Sequence, residues 1–282
     1  MNSNTQEDVN MTNRIFAITI FSSVFFLFII SAISYAKLED GLISAWTFDN
    51  GTPKDFQGDN DGKIIGGIEV VNGKFDKALS FNGTDGYIQV PHSKSMEVIA
   101  NSFTFSAWIK PNAGVHGNSG IVTKGKGTGW GIPYAFKITL DWWGVSNANT
   151  EGYFNASGAL NKQGTWVLAC LTADGKQAIG YSAIEGGKVE IKPCGEGNPK
   201  AIASPYLIEP NYPIEIGVAR MADGTTDRYF NGIIDEVYFW NRAISQDEVT
   251  ELTNGGRPKL SAPVEPGGKL IALWGVLKGQ KR

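Results

Sequence analysis

Oxygen-bearing side chains gather early in this chain and return near its end. Asp49 closes a predicted first strand, Asp59, Asn60 and Asp61 share the loop that follows, and Asp235 lies in the last long strand. A hard cation such as calcium takes about 6–8 oxygens from carboxylates, amides, backbone carbonyls and water. These side chains could hold such an ion if the fold brings the two ends of the chain together. The competing reading is that these side chains accept from the backbone N–H groups of their own turns, as Asp and Asn do in loops generally. A second set of residues suits sugars, whose apolar ring faces stack on exposed aromatic rings. Trp130, Tyr134, Trp142 and Trp143 stand in or beside Gly-rich stretches, with Tyr206 and Tyr212 in a Pro-rich loop. Half or more of these rings are expected to serve packing instead. In Asp141-Trp-Trp-Gly144 a strand would send one indole to each side, so at most one of the two belongs to the core.

Catalytic patterns are missing from the sequence. Glycoside hydrolysis needs two carboxylates flanking the bond, about 5–9.5 Å apart, and no Glu-x-Asp-x-x-Glu run occurs. Asp235 and Glu236 are neighbours, which in a strand point to opposite sides; Glu236 reads as a rim or solvent-facing carboxylate. No nucleophile elbow, HExxH helix or phosphate loop is present. The chain reads as non-enzymatic. Its two cysteines, Cys170 and Cys194, allow one disulfide, expected if the chain folds in an oxidising compartment. With only His92 and His116 beside them, a structural zinc site is not expected. A net charge of −3 argues against nucleic acid as a partner.

The elements that must position these residues are strands. Period-two runs bounded by turn residues recur: Leu42–Phe48, Ala78–Phe81, Tyr87–Val90, Phe103–Ile109, Gly120–Lys124, Ala135–Leu140, Trp166–Thr172, Gln177–Ala183, Lys188–Ile191, Ile214–Val218 and Gly232–Trp240. In the fourth, Phe103, Phe105, Ala107 and Ile109 share one face and Trp108 takes the other. Asn-Gly and Asp-Gly pairs at 61–62, 72–73, 82–83, 174–175, 223–224 and 231–232 supply turns, and 35 glycines fit so many of them. About a dozen short strands with such turns make an antiparallel sandwich. One helix interrupts the pattern: Ser245-Gln-Asp-Glu248 is a capping box, Val249 and Leu252 supply a buried side, and Gly255-Gly256 stop it. Residues 257–268, with three prolines, read as a linker, and 269–278 as a short amphipathic tail. Ahead of the strands, the uncharged run 15–33 follows Arg14 and precedes Ser34-Tyr-Ala36. It reads as a signal peptide cleaved after Ala36, or as a retained single anchor. The expected organisation is 1–36 signal or anchor, 37–256 the domain, and 257–282 linker and tail.

An ordered series of segments resembles a known family. It runs Gly41-Leu-Ile-Ser-Ala-Trp-Thr-Phe-Asp49, Gly73-Lys-Phe-Asp-Lys-Ala-Leu-Ser-Phe-Asn-Gly83, Tyr87-Ile-Gln-Val-Pro91, Phe103-Thr-Phe-Ser-Ala-Trp-Ile-Lys-Pro111 and Gly164-Thr-Trp166. It closes with Gly232-Ile-Ile-Asp-Glu-Val-Tyr-Phe-Trp-Asn-Arg-Ala-Ile-Ser245. From 41 to 255 the chain is similar to the laminin G-like (concanavalin A-like, pentraxin-like) domains of secreted bacterial proteins. The resemblance implies an all-β, two-sheet antiparallel jelly-roll sandwich, with Trp46, Trp108, Trp166 and Trp240 as fold residues. It also implies that the first and last strands lie close together, so that Asp49, Asp59 or Asn60, and Asp235 could supply a calcium ion. Function is then expected to be an exported, non-catalytic binding module at the cell surface or outside the cell. Its partner would be a polysaccharide or cell-surface glycan, or in the alternative an extracellular protein; a secreted glycosidase is the least favoured reading. Membrane contact is expected only through 15–33, if uncleaved.

Overall fold

The computed structural model describes residues 36–126, 134–155, 160–189, 198–221 and 223–260. The chain divides into two units, Met1–Lys37 and Leu38–Arg282; all but two residues of the first lie outside the described set, and the fold is that of the second. Among the described residues no helix is long and apolar enough to cross a membrane, and the run 15–33 lies outside them.

Why the second unit becomes a sandwich is visible in where alternate side chains go. Its strands are β1 Leu42–Trp46, β2 Lys63–Ile65, β3 Ile68–Asn72, β4 Lys77–Asn82, β5 Tyr87–Val90, β6 Phe103–Pro111, β7 Gly120–Gly125 and β8 Tyr134–Thr139. They continue as β9 Trp142–Ser146, β10 Glu151–Asn155, β11 Val167–Ala173, β12 Gln177–Ile184, β13 Lys200–Ala201, β14 Ile214–Ile216 and β15 Asn231–Trp240. Within the described residues they form an eight-stranded sheet, ordered β13-β12-β11-β6-β15-β4-β3 with β1 also on β15, and a seven-stranded sheet, β10-β9-β8-β7-β14-β5-β2. All pairings are antiparallel.

Phe103, Phe105, Ala107 and Ile109 enter the main core between the sheets, while Trp108 goes to the opposite side, as the alternation predicts. Phe105 stacks on Phe239 at 4.4 Å within its own sheet and on Phe136 of the facing sheet at 4.2 Å. Offset aromatic pairs of this kind add about 0.5–1.5 kcal/mol each beyond burial, and this one pins the two layers together. A second apolar cluster lies on the outer side of the eight-stranded sheet, where Trp108, Leu168, Cys170, Tyr181, Tyr238 and Trp240 are covered by Val249 and Leu252 of helix α1, Gln246–Thr253. Its capping box is complete, and Gly255 follows with positive φ. Trp46, Trp108 and Trp240 are buried; Trp166 is half-buried against the second cluster.

Differences from the sequence reading have local causes. Strand β1 stops at Trp46, and Phe48 turns the chain with φ of 58°. Strands β2, β3, β9, β10 and β13 were not expected, nor was the 3-10 helix Lys94–Ala100. The expected strand Lys188–Ile191 does not form at Lys188 and Val189; 190 and 191 are outside the described residues. Cys170 is a free, wholly buried thiol, pushed up in pKa by burial; Cys194 lies outside the described residues.

Candidate functional site

The four expected calcium ligands are divided among separate networks. Asp55, rather than Asp59, organises the loop: its Oδ1 accepts from the N–H groups of Ala45 (2.9 Å), Gln57 (3.0 Å) and Gly58 (3.0 Å), and its Oδ2 from Asn60 (3.1 Å). Asn60 is buried, its amide donating to Ser44 at 2.7 Å and accepting from Ser93 at 2.6 Å, while its carbonyl takes the Trp46 indole N–H at 2.7 Å. Asp59 is exposed. Asp235 is held by backbone donors, accepting from Lys74 (2.8 Å), Phe75 (3.2 Å) and Glu236 (2.9 Å). Gly73 permits that approach, because a Cβ there would sit 2.5 Å from Asp235 Oδ2. Asp49 Oδ2 accepts from Arg257 Nη2 at 2.6 Å, and its Oδ1 is buried without a partner. The same guanidinium grips Glu236 with two bonds, 2.9 and 2.6 Å. A guanidinium therefore joins the chain just after β1 to β15, where the resemblance implied a metal ion. Among the described residues no three His, Cys, Asp or Glu side chains converge as a metal site. Asn60 and Asp235 are engaged with N–H and hydroxyl groups and Asp49 Oδ2 with a guanidinium, so an ion here would have to displace these donors.

The adjacent acids also correct an expectation. A bulge between Asp235 and Tyr238, with Glu236 at φ of 50°, breaks the alternation. Ile234 and Val237 both enter the main core, so Asp235 and Glu236 both lie on the outer side of the sheet. Glu236 is buried rather than solvent-facing. Burial, with Glu236 alongside, pushes Asp235 up to about 8 against its three N–H donors, and burial pushes Glu236 up to about 7 against Tyr238 and Arg257.

The aromatic candidates separate cleanly. Trp143 is core, with its indole N–H on the Thr139 carbonyl at 2.6 Å. Tyr134 is buried, its hydroxyl donating to the Arg220 carbonyl. Trp142 is 41% exposed, the solvent-facing half of the Trp-Trp pair. Trp130 lies outside the described residues. Tyr206 is core, bonded through its hydroxyl to Gly175 N–H at 2.9 Å, and Tyr212 is half-buried.

Trp142 marks a face that the sequence did not assemble. Cross-strand register lines up Lys63, Gln89, Glu215, Thr123, Lys137, Gly144 and Tyr153 as one rung across the seven-stranded sheet. Their sequence neighbours Ile64, Ile88, Ile214, Ile216, Val122, Phe136, Ile138, Trp143 and Val145 pack on the core side, so the rung faces outward. Trp142 and Tyr87 belong to the same outer face, one pleat along. Gly144 leaves room for the Tyr153 ring, since a Cβ there would meet Tyr153 Cδ1 at 2.5 Å.

Charge on this face is unevenly satisfied. Glu215 is buried; Oε1 accepts from Arg220 at 2.6 Å while Oε2 has no hydrogen-bond partner, and burial pushes its carboxyl up to about 6. The 219–229 loop brings Arg220 over the sheet: Arg220 pairs with Thr226 across the loop and the Thr123 hydroxyl donates to Val218 O at 3.0 Å. Tyr229 from this loop lies 6.2 Å from Tyr87. Lys137 Nζ lies 5.4 Å from the Tyr134 ring centre, and burial, with Arg228 nearby, lowers its ammonium to about 8. Arg228 itself meets Asp227 at 3.3 Å.

An antiparallel sandwich whose outer sheet face carries an exposed indole, half-buried tyrosines and a few convergent charged groups has the make-up of a lectin-like domain. A family model described as the concanavalin A-like lectin/glucanases superfamily matches residues 82–250, and the chain belongs to that family. No curated protein sequence matches. Among solved structures, domain 4 of AbnA, a GH43 extracellular arabinanase from Geobacillus stearothermophilus in complex with arabinotriose, is similar at 20% identity and TM-score 0.50, over 78% of this chain and all of that one. The binding domain of Paraclostridial Mosquitocidal Protein 1 is similar at 16% identity and TM-score 0.52, over 78% of this chain and 53% of that domain. The botulinum neurotoxin DC binding domain in complex with SialylT gives 16% and 0.52, over 77% and 52%. This chain thus spans about half the length of the toxin binding domains it matches. At these identities the likeness is one of fold.

Proposed function

We propose that this chain is an exported, non-catalytic binding module that takes carbohydrate on the outer face of the seven-stranded sheet. The observation that carries the reading is Trp142, a large ring held open to solvent by a strand whose other residues are buried. An exposed indole on a rigid sheet offers a stacking surface at little conformational cost, and Tyr153 and Lys137 beside it supply polar contacts. The family and the fold neighbours, two of which were solved with sugars bound, support the class of ligand. Export rests on the run 15–33 and the small residues after it; N-terminal sequencing of the mature protein checks the cut after Ala36. The binding test is a glycan array probed with the wild-type chain and with Trp142→Ala. Glycan binding lost in the variant, with an unchanged thermal midpoint, supports the reading. Binding that survives Trp142→Ala removes this face from consideration.

A further inference from the structure

The outer face carries a cation that the protein leaves uncompensated, and this sets the class of sugar. Of the ionic groups on it, Glu215 is committed to Arg220 and Arg228 to Asp227, while Lys63, at the far edge, is exposed to solvent. Lys137, fifth of the seven residues along the rung, has no hydrogen-bond or ion-pair partner among the described residues; its one partner there is the ring of Tyr134. It is half-buried and flanked by a second cation, Arg228. Burying an ammonium without an anion costs stability unless something else meets it. Its surroundings suit a ligand rather than a structural pair. Across the strand stands Gly144, over which the Tyr153 ring of the next strand lies. One pleat along on the same strand is the exposed Trp142. Successive strands lie about 4.8 Å apart, so Lys137 and the Trp142–Tyr153 platform fall within the span of one or two sugar rings.

Resting on the carbohydrate reading above, we propose that the glycan this face binds is acidic, with its anionic group seated against Lys137 Nζ and a sugar ring on Trp142. A neutral glycan would leave the ammonium unmet; a carboxylate or sulfate would form a charge-assisted hydrogen bond with it. Glu215, two strands away across Thr123, is met by Arg220 rather than by Lys137.

The test uses the full chain on an array that pairs each acidic glycan with its neutral counterpart: oligogalacturonate with its methyl ester, sialylated with desialylated, and sulfated with desulfated chains. Titration calorimetry on the best pair follows, at low and high salt. The expected result is binding confined to acidic members, weakened by salt, and reduced at least tenfold in Lys137→Gln but retained in Lys137→Arg. The carboxylated and sulfated arms tell which anion is read. The thermal midpoint of Lys137→Gln should stay level or rise, because an unpaired, desolvated charge has been removed; this keeps loss of binding distinct from loss of fold. Equal binding of neutral and acidic partners, or full affinity in Lys137→Gln, overturns the acidic preference while a Trp142→Ala defect leaves the carbohydrate reading standing. No binding to any glycan overturns both.

Discussion

Two adjacent tryptophans show how much one position of phase decides. Trp143 fills the main core and gives its N–H to Thr139, so Trp143→Ala should cost about 3–5 kcal/mol, as large aromatic truncations in cores do. Trp142→Ala, on the solvent side, should stay within about 0.5 kcal/mol of wild type and abolish glycan binding. Urea titrations of both variants check the pair; equal losses would mean Trp142 is also structural. Titratable side chains give a second contrast. Asp235 and Glu236 have folded-state pKa values raised to about 8 and 7 by burial. The folded chain then holds protons that the unfolded chain releases. The stability these groups contribute is complete below their ordinary carboxylate values, near 4, and is lost as pH climbs through 7 and 8. Glu215, raised to about 6, acts with the same sign over a lower window. The thermal midpoint should therefore fall by several degrees between pH 5.5 and 8.5. Asp235→Asn should flatten that slope; an unaltered slope in the variant would assign it elsewhere.

Helix α1 shows an element whose stability concentrates in one side chain. Glu248 caps the Ser245 N–H at 2.8 Å and also takes both Arg242 Nη groups, at 2.9 and 2.5 Å. Ser245→Ala should cost about 1 kcal/mol. Glu248→Ala removes the return cap and the carboxylate that both Arg242 Nη groups meet, and should cost about 2–3 kcal/mol. Because the two share one network, the double variant should cost less than the sum of the singles; strict additivity in denaturant titrations would separate the cap from the ion pair. This helix was legible in the sequence because a capping box is local, four residues that satisfy one another. Strands β6 and β15 were legible for a similar reason, long alternation in one segment. The face built on β5, β14, β7, β8 and β9 was not. Gln89, Glu215 and Lys137 each sit between apolar neighbours, which marks them as outward, and Thr123 follows Val122. What brings them into one rung is register between segments as far apart as residues 89 and 215, and a single sequence carries no statement of that. The bulge at Asp235–Glu236 escaped for the complementary reason: a single inserted residue reverses a parity argument without changing composition.

At the scale of the whole molecule, the first and last strands do meet, as the resemblance implied, since β1 pairs with β15 from Leu42↔Trp240 to Trp46↔Val237. The junction is closed by protein groups. Asp55 and Asn60 tie the 55–60 loop to its own backbone and to Ser44 and Ser93, and Arg257 bridges Asp49 to Glu236 after the helix has crossed the sheet. An ion that binds only the native state raises the midpoint by mass action, and that gain requires oxygens free to receive it. Here a calcium ion would have to displace a guanidinium from Asp49 and N–H donors from Asp235. Thermal melts in millimolar calcium and in chelator should therefore coincide. Arg257→Ala should lower the midpoint in both, because it leaves Glu236 buried without its cation, a loss of about 3–5 kcal/mol for a buried pair. A calcium-dependent rise that disappears in Asp49→Asn would instead show that the unpartnered Asp49 Oδ1 recruits the ion and that Arg257 yields to it. The same scan on Arg257→Ala distinguishes the two outcomes, since removing the guanidinium would then strengthen the response to calcium rather than leave it absent.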